Sequence, residues 1–102
     1  MIHVIATITC TPGNREKFLA EFHRVVPLVL QEDGCVVYGP TIDQSQPLTI
    51  TTPKRANVVV VVEQWRNISA LQAHLVAPHM KSYREKVIGL VDNIAVQVLE
   101  PA

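Results

Sequence analysis

Apolar residues recur along the chain in two rhythms, one of period two and one near 3.6. Residues 2–10, Ile-His-Val-Ile-Ala-Thr-Ile-Thr-Cys, are rich in β-branched side chains and run into the turn cluster Thr11-Pro12-Gly13-Asn14. A first strand is predicted there. From Arg15 the helical rhythm takes over, with Phe18, Phe22, Val25, Val26, Val29 and Leu30 on one stripe. Pro27 lies inside that stripe; it has no N–H to donate and its ring crowds the carbonyl of His23, which predicts a kink. Gly34 is expected to close this helix in a left-handed conformation.

Cys35–Ile42 is a second strand, and its Gly39-Pro40 pair predicts an edge or a bulge. Asp43–Ala56, with two prolines, several threonines and a Lys-Arg pair, reads as a long connection. Residues 57–66 then hold five consecutive valines, Val58 to Val62, before Glu63-Gln64-Trp65; such a run predicts a strand buried on both faces. A helix is expected from a capping box at Ser69-Ala70-Leu71-Gln72, with Ile68, Leu71 and Leu75 as its stripe. Pro78 begins a second helical segment, in which Met80, Tyr83 and Val87 repeat the spacing. Residues 94–99, Ile-Ala-Val-Gln-Val-Leu, are the last predicted strand.

The order βαββαβ predicts an α+β, ferredoxin-like antiparallel sheet with both helices on one face, in a single domain over residues 1–102. Coverage then becomes a problem. Helices on one side leave the other face of the valine strand open, and an apolar patch of that size is unusual for a monomer. Two sheets packed face to face would bury it, so a homodimer is expected.

Composition narrows the function. Nine Lys and Arg balance nine Asp and Glu, giving a formal net charge of zero. Neutrality argues against a phosphate-binding, nucleic-acid surface. No apolar run reaches the roughly 18–20 residues of a membrane span, and Met1-Ile2-His3-Val4 opens without a basic segment or signal-like core, so a cytoplasmic protein is expected. Cys10 and Cys35 are too few for a disulfide scaffold and have no metal-ligand spacing. Gly13, Gly34, Gly39 and Gly89 are scattered, so no phosphate loop or dinucleotide fingerprint is present.

The chemically dense stretch runs from Glu63 to Tyr83. Glu63 and Trp65 share a strand face with Val59 and Val61, so the carboxylate either meets Arg66 or Arg84 or lines a cavity. His74 falls on the inward edge of its helix, and His79 shares a face with Tyr83. Each histidine reads as a structural imidazole near the Pro78 break or as a general acid/base, since imidazole titrates near neutrality. A metal is not expected: the two histidines are five apart across a proline, with no obvious third ligand. Trp65, the sole tryptophan, is either core packing or an aromatic wall for a planar ligand.

These residues resemble the antibiotic biosynthesis monooxygenase superfamily. Glu63-Gln64-Trp65, Leu71, His74-Leu75 and Pro78-His79-Met80 carry the resemblance, with Gln31-Glu32-Asp33-Gly34-Cys35, Tyr38 and Val98-Leu99-Glu100-Pro101 in support. The chain looks most similar to the bacterial quinol monooxygenases, small dimeric α+β barrels. That resemblance implies oxidation of a quinol or similar dihydroxyaromatic by O₂ without cofactor. His74 or His79 would be the base, Trp65 would stack on the ring, and Tyr38, Glu63 and Tyr83 would contact substrate. Haem-degrading relatives carry asparagine, tryptophan and histidine where Thr7, His74 and about Arg84 stand here, which argues against haem chemistry. Isomerase relatives carry a histidine near Val26. Two other functions stay open, a non-catalytic quinone-binding dimer and an isomerase of a small phosphorylated carbonyl compound.

Overall fold

A computed structural model describes residues 1–102. Four strands and three helices follow in the order β1 (Ile2–Cys10), α1 (Arg15–Leu30), β2 (Cys35–Thr41), β3 (Val58–Trp65), α2 (Ile68–Leu75), α3 (Pro78–Val87) and β4 (Val91–Leu99). The sheet order is β2-β3-β1-β4, and every pairing is antiparallel. This is the ferredoxin-like α+β arrangement, with the second helix divided at Pro78. Ala77 is extended there and Pro78 takes the first helical position, where a missing N–H costs nothing.

Strand β1 alternates strictly, burying Ile2, Val4, Ala6, Ile8 and Cys10 beneath the helices. Phe18, Phe22, Val25 and Val29 of α1 pack onto that face, together with Leu71, Met80 and Val87. The valine strand does not bury both faces within one chain. Val59 and Val61 point into the core, but Val60 and Val62 are half-buried, because every helix lies on the opposite side.

Several local expectations need correction. Leu30, the last residue of α1, is exposed instead of joining the stripe. Gly34 does not cap it; Gln31 does. Gly34 serves the turn into β2, with φ +84° and its α-carbon so close to α2 that an added Cβ would lie 2.6 Å from Ala70 Cβ. Helix α2 starts earlier than the Ser69 box, because the Asn67 side chain accepts from the Ala70 N–H at 2.9 Å. Its buried residues are Leu71 and His74, while Ile68 and Leu75 are exposed. Strand β4 begins at Val91, three residues before the apolar run, since Val91 pairs with Cys10 across a register shift.

Helices α1 to α3 cover β2, β3 and part of β1 but leave β4 bare. Ile94, Val96 and Val98 stand opposite Ile8, Ala6 and Val4 on the helix-facing side, yet each is about half exposed. The gap between the helices and this uncovered strand is where the candidate site opens.

Candidate functional site

An apolar cavity of about 220 Å³ lies between the sheet and helices α2 and α3. Its floor is β1 and β4, through Val4, Ala6, Ile8, Ile94, Val96 and Val98. Polar atoms enter only from Tyr38, Glu63, His74, Tyr83 and Arg84. An engineered cavity of about 150 Å³ with similar walls takes up benzene, so this one has room for a substituted aromatic ring. Two larger hollows are open and more polar: one of about 570 Å³ over residues 43–54 on an exposed connection, and one of about 560 Å³ between the Glu32–Gly34 turn and helix α2, which neither His74 nor His79 lines.

His74 is brought to the cavity by its place in the last turn of α2, on the inward side one turn after Leu71. It is 2 % exposed, and its Nδ1 lies 2.9 Å from Glu32 Oε2. An ionised carboxylate only accepts, so Nδ1 carries a proton, and in the neutral imidazole Nε2 is the nitrogen with the lone pair. No protein group bonds Nε2, and no unpartnered polar side-chain atom is sealed from solvent, so Nε2 opens on the cavity that the ring lines. His79 sits differently. Its Nε2 lies 2.8 Å from the same Glu32 oxygen, but its ring lines a small outer hollow with Glu21 and Arg24, away from the apolar cavity.

Glu32 is therefore the hub, and inspection of the sequence for catalytic groups passed over it. It lies 42 residues from His74 and 47 from His79, in a turn where an acid reads as solvated. Its inclusion in the Gln31–Cys35 block was the only signal.

Glu63 meets neither Arg66 nor Arg84. Its Oε1 accepts from the Trp65 indole N–H at 2.8 Å, while Arg66 faces Asp33 and Arg84 donates to the Leu75 carbonyl. Burial is the main force pushing the Glu63 carboxyl above its ordinary range; the indole bond and His74 oppose it, and Glu32 reinforces it. Trp65 is fully buried and does not line the cavity, so it is no stacking wall in this structure. Its ring lies 4.6 Å from that of His74, centre to centre, and its N–H is committed to Glu63. Both active groups thus lean on one indole.

Tyr38 faces Glu63 across the β2–β3 pairing, and its ring stacks on Phe22 at 5.3 Å. Tyr83 meets Phe18 and Phe22 edge-on. Burial above all, with Glu63 adding to it, drives both phenols up, so each stays a neutral donor. Burial, with Glu32 and Glu63 beside it, also holds the Cys35 thiol at about 11, which leaves no thiolate nucleophile near neutrality. No group of three or more His, Cys, Asp or Glu side chains has the geometry of a metal site. The structure thus unites four of the expected site residues, Tyr38, Glu63, His74 and Tyr83, on one cavity and sets Trp65 behind it and His79 outside it.

The profile of the antibiotic biosynthesis monooxygenase family matches residues 1–86. The chain belongs to that family. It is 39 % identical over 103 residues to the probable quinol monooxygenase YgiN of Escherichia coli (strain K12), covering 99 % of this chain and 98 % of that protein. Among solved structures, Rv0793 from Mycobacterium tuberculosis superposes with a TM-score of 0.81 at 27 % identity, covering 99 % of this chain and 94 % of that one. PA3566 from Pseudomonas aeruginosa gives 0.81 at 26 %, covering 99 % and 93 %. No helix is long and apolar enough to cross a membrane.

Proposed function

We propose that this chain oxidises a quinol or related dihydroxyaromatic with O₂, using His74 as the general base. One observation carries the reading: a buried imidazole tied at Nδ1 to Glu32 presents a free Nε2 to an apolar cavity sized for an aromatic ring. Phenols titrate near 10, so removing their proton at neutral pH needs an aligned acceptor. Glu32 fixes the tautomer and stabilises the imidazolium that forms. His79 holds Glu32 from the outside and so orients the base without touching substrate. Trp65 acts from behind, anchoring Glu63 and packing on His74. Tyr38, Glu63 and Tyr83 contact the substrate.

The electrons balance on substrate and O₂ alone. The phenolate gives one electron to O₂, the ring radical and superoxide join through a new C–O bond, and loss of water from the resulting peroxide leaves a carbonyl. A hydroquinone plus O₂ thus yields a hydroxyquinone plus water, with one oxygen atom in each product. The apolar walls exclude water while the radical pair exists. Two copies of the chain would cover the open sheet face that carries Ile5, Val60 and Val62.

A phosphorylated substrate is disfavoured, because Arg84 is the only basic lining group and its guanidinium is held by the Leu75 carbonyl. The test is oxygen uptake with a reduced naphthoquinone, measured above the spontaneous rate. His74→Ala is expected to lower the rate roughly 10²- to 10⁴-fold, and His79→Ala to lower it less. Undiminished uptake in both variants refutes the base assignment. Saturable binding of the quinol without faster uptake by the unaltered protein refutes the enzyme reading and favours a quinone-binding protein.

A further inference from the structure

Loss of water from the peroxide asks for two proton movements together. The ring carbon bearing the peroxide gives its C–H proton to a base as the O–O bond breaks. The departing oxygen needs a proton, because bare hydroxide is a poor leaving group. His74 can do only one of these. Its Nδ1 hydrogen is tied to Glu32 at 2.9 Å, so Nε2 alone faces the cavity, and one nitrogen cannot accept and donate in the same step. Four other polar side chains line the cavity: Tyr38, Glu63, Tyr83 and Arg84. Arg84 donates to the Leu75 carbonyl, and a guanidinium keeps its proton. Burial drives both phenols up, so they hold their protons more firmly than usual. Glu63 differs. It is 7 % exposed, its Oε1 accepts from the Trp65 indole, and nothing within the chain bonds Oε2. Oε2 is not sealed from solvent, so it opens on the cavity that the side chain lines. Arg66 pairs with Asp33 instead of this carboxyl. Burial without a cationic partner favours the neutral acid, and with Oε1 accepting from the indole its hydrogen sits on Oε2. The same indole packs on His74, ring centres 4.6 Å apart, which sets acid and base side by side on one support.

We infer that Glu63 is the general acid of the reaction, protonating the oxygen that leaves as water while His74 removes the ring proton. This rests on the quinol reading above and adds a second catalytic residue to it. When the C–O bond forms, His74 returns the phenolic proton to the outer peroxide oxygen and is neutral again. In the next step the C–H pair becomes the second bond of the new carbonyl, and the O–O pair leaves with the outer oxygen, which takes the Oε2 proton. Glu63 is then ionised and His74 protonated. The water just formed carries the proton from Nε2 to Oε2 and resets both. Two carboxyls thus have opposite duties set by their surroundings: Glu32, bonded to two imidazoles, stays ionised, and Glu63, bonded to one neutral indole, stays protonated.

Without the acid the peroxide leaves whole, since hydroperoxide departs more readily than hydroxide, and the same adduct then gives quinone plus hydrogen peroxide. The ratio of hydrogen peroxide to hydroxyquinone therefore reads this step apart from the overall rate. It is measured with the full chain and a reduced naphthoquinone, after subtraction of the spontaneous reaction. The unaltered protein is expected to form chiefly hydroxyquinone. Glu63→Gln keeps an acceptor for Trp65 and a donor for substrate but has no proton to transfer, and should raise the ratio roughly tenfold or more. Tyr38→Phe deletes a neighbouring polar contact; it should slow uptake and leave the ratio unchanged. An unchanged ratio in Glu63→Gln, or an equal rise in Tyr38→Phe, overturns the acid role and leaves His74 as the base. Quinone and hydrogen peroxide as the main products of the unaltered protein overturn the acid role together with oxygen insertion. Uptake by the unaltered protein no faster than the spontaneous rate overturns both readings.

Discussion

Gly34 offers a measurement of how tightly the turn bearing Glu32 is pressed against the site. Its φ of +84° is a left-handed conformation, and an added Cβ would fall 2.6 Å from Ala70 Cβ. Gly13 is its natural control, with φ +79° and nothing within 4 Å of a built Cβ. Left-handed backbone costs an L-residue roughly 1–2 kcal/mol, and the lower unfolded-state entropy of alanine offsets about 0.4–1 kcal/mol of that. Gly13→Ala should therefore cost about 1 kcal/mol or less. Gly34→Ala adds the collision, and forced overpacking typically costs about 1–3 kcal/mol, for a total of about 2–4 kcal/mol. With a urea slope of about 1–3 kcal/mol/M, the midpoint should fall by about 1–2 M for Gly34→Ala and by less than half as much for Gly13→Ala. A double mutant separates the two causes, because Ala70→Gly removes the struck methyl but not the backbone strain. Gly34→Ala should cost about 1–2 kcal/mol less in an Ala70→Gly background than alone. Equal losses at the two glycines, or strict additivity with Ala70→Gly, would falsify the close approach of the turn to α2.

Three further outcomes follow from the same geometry. Glu32→Ala leaves His74 Nδ1 buried without its acceptor, which should destabilise the protein by about 1–3 kcal/mol and depress oxygen uptake nearly as much as His74→Ala; activity at the unaltered level would refute the orienting role. Glu63 faces His74, Glu32, Trp65, Tyr38 and Tyr83, and its folded pKa lies above the ordinary 4.5, so the folded state binds the extra proton and stability must fall as pH rises from about 4.5 through the raised value. Glu63→Gln cannot ionise, so its urea midpoint should gain on the unaltered protein's with rising pH, and parallel pH profiles would refute the shift. Val62→Glu on the open sheet face should yield a monomer by sedimentation velocity where the unaltered chain sediments as a dimer; a monomeric unaltered chain would remove the reason for pairing the sheets.

Much of the fold was legible because local pattern and burial agree. Strand β1 was read over residues 2–10 because one face alternates cleanly under the helices. The α1 stripe emerged through Phe18, Phe22, Val25 and Val29 for the same reason. Where reading failed, a tertiary contact overrode the local signal. Asp92 and Asn93 hid the start of β4 because both are exposed on an edge strand, where pairing asks nothing of the side chain. Leu30 looked like core but is half exposed next to fully buried Val29, turned off the inward face of α1. Tyr38, Glu63, His74 and Tyr83 could be shortlisted, since polar groups on apolar faces stand out. The link of His74 to His79 through Glu32 could not, because bonds across 42 and 47 residues leave no periodicity.

The same carboxylate oxygen holds His74 and His79, so the difference between the two imidazoles lies in what their other nitrogens can reach. His79 borders a hollow of about 100 Å³ among Glu21, Arg24 and Lys86, where water and charge compete for any proton it handles. His74 borders aliphatic walls, where a developing imidazolium has Glu32 as its hydrogen-bonded counter-charge and a phenolate faces little competing water. Electrostatic pairing is strong there for the reason that makes burying these groups costly. The cost is met by pairing: Glu32 answers both histidines, Trp65 answers Glu63, and no side-chain nitrogen or oxygen sealed from solvent lacks a partner. The groups that line the cavity keep unused capacity, His74 for a proton and Glu63, Tyr38 and Tyr83 for an oxygen. On the proposed reading, an acidic hydroxyl on an apolar ring would meet His74, and Tyr38, Glu63 and Tyr83 would contact the rest of the molecule.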